Sequence, residues 1–163
     1  ADRLRALRIA RGEEPVGYKI GFTNRNLWPL YGVSAPIWAP VWRHTLTLLD
    51  AASVRVSLAG LSQPRLEPEI VFGFKATPTP GMDDAALVAC IEWVAHGFEI
   101  VHTHFANWKF KLADCFVDGA LHGRLLVGPR VPIGLFDDAP AQLRELQVDL
   151  LCDGQQVEQG SGR

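Results

Sequence analysis

The chain lacks any apolar run approaching the roughly 20 residues that a membrane-spanning helix needs. Its first twelve residues, ADRLRALRIARG, also lack the apolar centre of a signal peptide. A soluble, cytoplasmic protein with no membrane partner is therefore expected. Clustered positive charge is missing too: 16 basic residues against 18 acidic ones leave a net charge of −2, and no Lys/Arg patch could neutralise a row of phosphates. Nucleic acid is accordingly not an expected partner. The three cysteines, Cys90, Cys115 and Cys152, are too few and too far apart for a disulfide frame or a zinc knuckle, so they are expected to be reduced core thiols. Serine-nucleophile and phosphate-loop motifs are absent, since no G-x-S-x-G occurs and GYKIG lacks both the glycine pattern and the Lys-Ser/Thr pair.

What is present is a chain of 163 residues, 48% of them hydrophobic, enough to close the core of a single domain over residues 1–163. A short amphipathic helix is expected at 3–10, and strands at 15–23, 45–49 and 53–60. Asn24 is placed to cap a short helix over RNLWPLYG, and Pro36 and Pro40 make SAPIWAPVW extended. The periodicity of Leu87, Val88, Ile91 and Val94 predicts a helix over 84–96, capped by Asp83 or Asp84 and ended by Gly97. Strands follow at 98–105 and 123–128. The alternating runs around Asp153-Gly154 predict a terminal hairpin. Strands outnumber helices without alternating regularly with them, so the fold class is α+β with a largely antiparallel or mixed sheet.

One strand carries unexpected charge. In RLEPEIVF, side chains two apart share a face, so Glu67, Glu69 and Val71 oppose Leu66, Ile70, Phe72 and Phe74, which are expected to be core. Glutamates at such spacing ordinarily face water. Here Pro68 removes a ladder donor and marks an edge or bulged position, and Glu99 lies in an equally apolar strand, GFEIV. Were the three to converge, their repulsion would require a cation, and three oxygen donors would select magnesium or manganese. A rival is a zinc site built from His102, His104 and His122, although ordinary strand histidines fit the spacing better. Lys19 stands out as a lone cation in an apolar run, where a snorkelling surface lysine is equally in keeping.

Taken together, VGYKIGFTNRNLWPLYGVSAPIW (16–38), PRLEPEIVF (64–72) and GFEIVHTHFANWKFKLADCFVDGALHGRLLVG (97–128) resemble the 2-keto-4-pentenoate hydratase and 4-oxalocrotonate decarboxylase branch of the fumarylacetoacetate hydrolase superfamily. That resemblance implies a β-rich mixed roll with flanking helices, incomplete here because the family continues beyond both ends of the chain. It also implies a homo-oligomer, dimeric or larger, and a magnesium or manganese ion held by Glu67, Glu69 and Glu99. By the same resemblance Lys19 is catalytic, holding or protonating the substrate, and Gly21, Asp114 and Asp118 are substrate-binding. The implied activity is that of a lyase, hydratase or decarboxylase, acting on a small-molecule 2-oxo or 2-hydroxydienoic acid in aromatic-compound catabolism. A C–C bond hydrolase using His102 or His104 as base, and a non-catalytic 2-oxo-acid-binding domain, are the alternatives. Four departures stand out: Ile37 where hydratases often carry an acid, His102-Thr103-His104 for an acid-Ser-Arg pattern, Val117 for alanine, and Gly119 for asparagine.

Overall fold

The computed structural model describes residues 2–162, which fall into two compact units. Among these residues, the first comprises 2–49, 53–67 and 98–126; the second comprises 50–52, 68–97 and 127–162. The division passes through two continuous strands, between Glu67 and Pro68 and between Gly97 and Phe98.

In the first unit, helix α1 (Asp2–Ala10) precedes an antiparallel pair, β1 (Pro15–Gly21) and β2 (Ile37–Trp42). Their register sets Lys19 opposite Ala39 and Gly21 opposite Ile37. The pleat therefore sends Lys19 and Gly21 to the same side as Ile37, Ala39 and Val41, all three of which are buried. Tyr18, Ile20 and Trp38 point the other way and are exposed, with Tyr18 and Trp38 meeting edge to face. A short helix, α2 (Trp28–Tyr31), joins the strands and ends in the left-handed Gly32. Helix α4 (Leu112–Val117) covers the inner face of β2, so that Ile37, Ala39, Cys115 and Ala120 form a small core with Phe22, Phe110 and Phe116 around it.

The larger sheet runs in the order β3 (Leu46–Leu48), β6 (His122–Val127), β5 (Ile91–Val101), β4 (Arg65–Phe74), and β7 (Val131–Pro132) also pairs with β5. Within the second unit, α3 (Asp84–Ala89) and α5 (Ala139–Glu145) have Asp83 and Asp138 as N-caps and are bridged by the Arg144–Asp84 ion pair at 2.7 Å. The hairpin β8 (Gln147–Cys152) and β9 (Gln155–Ser161) turns at Asp153-Gly154 as expected, both residues having positive φ.

The α+β class agrees with the sequence reading, and so do the bounds of β4. Four expectations do not hold. The predicted helix over 84–96 stops at Ala89, and β5 begins at Ile91; Ile91, Trp93 and Val94 are β-branched or aromatic, and sheet pairing outweighs their helical spacing. Residues 53–60 form no strand and are mostly exposed. The apolar side of β4 is not core, since Leu66, Phe72 and Phe74 are 38–49% exposed. Cys152 is also exposed, whereas Cys90 and Cys115 are buried as expected.

Close backbone approach fixes one glycine in the first unit. A Cβ on Gly123 would lie 2.6 Å from the Ile100 carbonyl oxygen, whereas one on Gly17 would meet nothing within 4 Å. Gly123→Ala is expected to lower stability in urea by about 1–3 kcal/mol, with Gly17→Ala changing it by less than about 1 kcal/mol; equal midpoints for both variants would contradict this packing.

Candidate metal and acid–base site

Alternation along β4 puts Glu67 and Glu69 on one face, and β4 is the terminal strand in the order of the sheet, where a proline between them costs least. The neighbouring β5 supplies Glu99. Ligand oxygens of the three glutamates lie within 4.8 Å of one another. Exposure falls across the group, from Glu67 at the solvent edge through half-buried Glu69 to Glu99, which is 2% exposed.

Each oxygen of Glu99 has its own partner. Lys19 Nζ lies 2.7 Å from Oε2, and His122 Nδ1 lies 2.7 Å from Oε1. Lys19 also donates to the Ala120 carbonyl at 3.1 Å, and His122 Nε2 lies 2.8 Å from Thr45 Oγ1. Burial alone would raise the pKa of Glu99, but the His122 hydrogen bond and the Lys19 charge outweigh it and hold the group below its ordinary 4.5. Glu67 behaves oppositely: desolvation raises its pKa, the charge of Glu99 adds to that, and Lys19 pulls against it. A firmly ionised Glu99 thus sits beside a carboxylate whose charge is disfavoured. This donor set fits a hard divalent cation, which takes oxygen ligands and would relieve the repulsion.

The three histidines do not form a zinc-type ligand group; among the described residues, the group able to hold a metal is the glutamate one. His122 is committed to Glu99, while His102 and His104 meet edge to face at 5.0 Å. Asp118 accepts from Thr103 Oγ1 at 3.2 Å and from the His104 backbone N–H at 3.1 Å, and its Oδ1 lies 2.5 Å from His104 Nδ1. Asp114 caps α4, accepting from the Lys111 N–H at 2.9 Å. Gly21 lies against Ile37 and the Lys19 Cε. A cavity of about 570 Å³ within the first unit is lined by Arg8, Trp42, His102, His104, Asp118 and His122, among others.

Sequence reasoning reached the three glutamates and Lys19 but gave His122 no role beside Glu99 and Thr45 none at all. Separations of 23 and 77 residues leave no local pattern to read.

The chain is similar in sequence to a 2-hydroxyhexa-2,4-dienoate hydratase of Comamonas testosteroni, 33% identical over 96% of this chain and 58% of the relative. It is also similar to a 4-oxalocrotonate decarboxylase of a Pseudomonas species, 30% identical over 97% of this chain and 58% of the relative. Among solved structures, 4-oxalocrotonate decarboxylase from Pseudomonas putida G7, complexed with magnesium and adipate, matches with a TM-score of 0.80 and 27% identity, covering 98% of this chain and 58% of that one. The same enzyme complexed with calcium and acetate also matches with a TM-score of 0.80. No family model matches. The chain spans somewhat more than half the length of these relatives.

Removing one partner of a buried ion pair leaves the other charge uncompensated, at a cost of about 3–5 kcal/mol. Lys19→Met is therefore expected to destabilise the protein by about 3 kcal/mol at neutral pH in urea unfolding. Because the folded pKa of Glu99 lies below its unfolded value, the contribution of the ionised pair is in place above about pH 4.5 and is lost as the pH falls through the folded pKa. The gap between variant and parent should narrow accordingly in acid; a gap independent of pH would contradict the pairing.

Proposed function

By sequence and by fold the chain is a relative of the 2-keto-4-pentenoate hydratases and 4-oxalocrotonate decarboxylases, and from that kinship we propose that it is the metal-binding part of a lyase. Its substrate is a small 2-oxo or 2-hydroxydienoic acid, of the kind released in aromatic-compound catabolism in the cytoplasm. The observation that carries this reading is the convergence of Glu67, Glu69 and Glu99 within 4.8 Å, with Lys19 against the most buried of them.

Glu67, Glu69 and Glu99 would hold magnesium or manganese, and the ion would supply Lewis-acid stabilisation of the charge that develops on a 2-oxo acid. Lys19, only 12% exposed and 2.7 Å from Glu99, places a second positive charge where the enolate develops and can hold or return its proton. A Cβ at Gly21 would meet the Ile37 side chain at 3.4 Å and the Lys19 Cε at 3.9 Å, and Gly21 serves as the substrate-facing backbone. Asp114 supports the site through α4. Residues 1–163 form part of one catalytic domain, and the exposed Tyr18, Ile20 and Trp38 face of β1 and β2 suits a homo-oligomeric contact.

No helix among the described residues is long and apolar enough to cross a membrane. Metal binding to the folded state at one hundred times the dissociation constant contributes about 2.7 kcal/mol, which for a protein of this size is about 5–10 °C in Tm. Manganese and magnesium should each produce such a shift in the parent, and neither should in Glu67→Gln or Glu99→Gln. Glu67→Gln should in addition stabilise the metal-free protein slightly, because it removes a charge that burial and Glu99 disfavour. Equal shifts in parent and both variants would overturn the assignment.

A further inference from the structure

A carboxylate serves a metal ion well only when its plane is turned the right way, and the last torsion of a glutamate, between an sp³ and an sp² carbon, is broad. Something outside the side chain must set it. Resting on the reading of Glu67, Glu69 and Glu99 as metal ligands, we propose that His122 is a positioning residue for the metal, that Thr45 orients it, and that this pair sets how tightly the ion is held.

Two donors reach Glu99, and they differ in what they can fix. The Lys19 ammonium, 2.7 Å from Oε2, is carried on a flexible four-carbon stem and presents three rotatable hydrogens. It supplies charge but little direction. The His122 ring is planar, with its N–H in the plane of the ring, and Nδ1 lies 2.7 Å from Oε1. An ionised carboxylate only accepts, so Nδ1 is the donor and its N–H defines an axis for the carboxylate. Each carboxylate oxygen has two lone pairs, so Glu99 keeps some for a cation while losing the freedom to turn.

An imidazole could still rotate about its own last torsion, which is as broad as that of glutamate. Thr45 opposes this by placing Oγ1 2.8 Å from Nε2. Thr45 is β-branched and stiff at χ1, and its Oγ1 accepts the Trp42 N–H at 3.3 Å and lies 2.8 Å from the Trp42 carbonyl oxygen. The line of contacts from Glu99 thus ends on backbone. The backbone that carries His122 is seated on β5 on both sides of it. The His102 N–H donates to the Leu121 carbonyl at 2.9 Å, and Gly123 passes so close to Ile100 that only a residue without a Cβ fits. The His122 side chain is 3% exposed, which leaves water little room to replace either contact. Partners outside the coordination shell that orient a ligand in this manner are worth about 10–100-fold in metal affinity.

The test is the dissociation constant of manganese(II), read from the loss of its free-ion EPR signal on protein kept folded at neutral pH, so that a change in stability alone does not move it. His122→Gln should weaken manganese binding by about 10–100-fold. Thr45→Val, which keeps the outline of the side chain and removes the hydroxyl, should weaken it by about tenfold, whereas Thr45→Ser should bind within about threefold of the parent. Urea midpoints of the metal-free variants are measured alongside. Variants at both positions that unfold more easily yet bind manganese as the parent does would show that the two residues serve the fold alone, and would overturn the proposal. Equal weakening by Thr45→Val and Thr45→Ser would overturn it too. A parent that binds no manganese, or a Glu67→Gln variant that binds it like the parent, would instead fail the metal-site reading on which the proposal rests.

Discussion

The constraint on which the site depends is the burial of one charge. Glu99 is 2% exposed on a strand whose neighbours Ile100 and Val101 are core, and a carboxylate in such a place is costly unless both oxygens are matched. Lys19 from β1 and His122 from β6 match them. Because those partners come from different sheets, satisfying Glu99 ties the β1–β2 pair to the larger sheet within the first unit. Thr45, in the turn after β2, extends the same chain of contacts by meeting the far nitrogen of His122. The polar network therefore specifies an arrangement that apolar packing of a four-residue core around Ile37 and Cys115 would fix less tightly.

Backbone geometry is adapted to the same end. Gly119, Ala120 and Leu121 have φ of 62°, 52° and 66°, a conformation that costs a residue with a Cβ about 1–2 kcal/mol. The turn they form seats Ala120 in the core with 3% exposure and presents its carbonyl to Lys19. The lysine is then held from two sides, by a charge and by a fixed dipole, and its ammonium cannot swing away from Glu99 without losing both.

How much of this was legible in the sequence depends on the range of the interactions involved. Glu67-Pro68-Glu69 could be read because alternation within one strand is local, and the terminal hairpin could be read because its turn residues carry their own dihedral preferences. The residues from 91 to 96 misled because Leu87, Val88, Ile91 and Val94 satisfy a helical period, whereas sheet pairing, which a local pattern cannot display, decides the outcome. The apolar side of β4 misled differently. Its alternation is correct, but Leu66, Phe72 and Phe74 are only partly covered, and a pattern reports which residues share a face without reporting what lies against it. His122 and Thr45 were missed because their importance exists only through contacts made far along the chain.

The separation of His104 from the glutamates has a physical rationale of its own. An imidazole placed among three carboxylates would be drawn into the coordination shell of any divalent cation they held. His122 meets that hazard by turning Nδ1 to Glu99 and Nε2 to Thr45, which leaves neither nitrogen free. His104 is bound to Asp118 at Nδ1 and lines the cavity. Two histidines on the wall of one cavity thus differ in setting: the buried His122 fixes Glu99, and the exposed His104 is itself fixed by Asp118. The sequence HTH at 102–104, which departs from the acid-Ser-Arg pattern of the family, gains a structural reason in that arrangement, because Thr103 and His104 both bind the one carboxylate of Asp118.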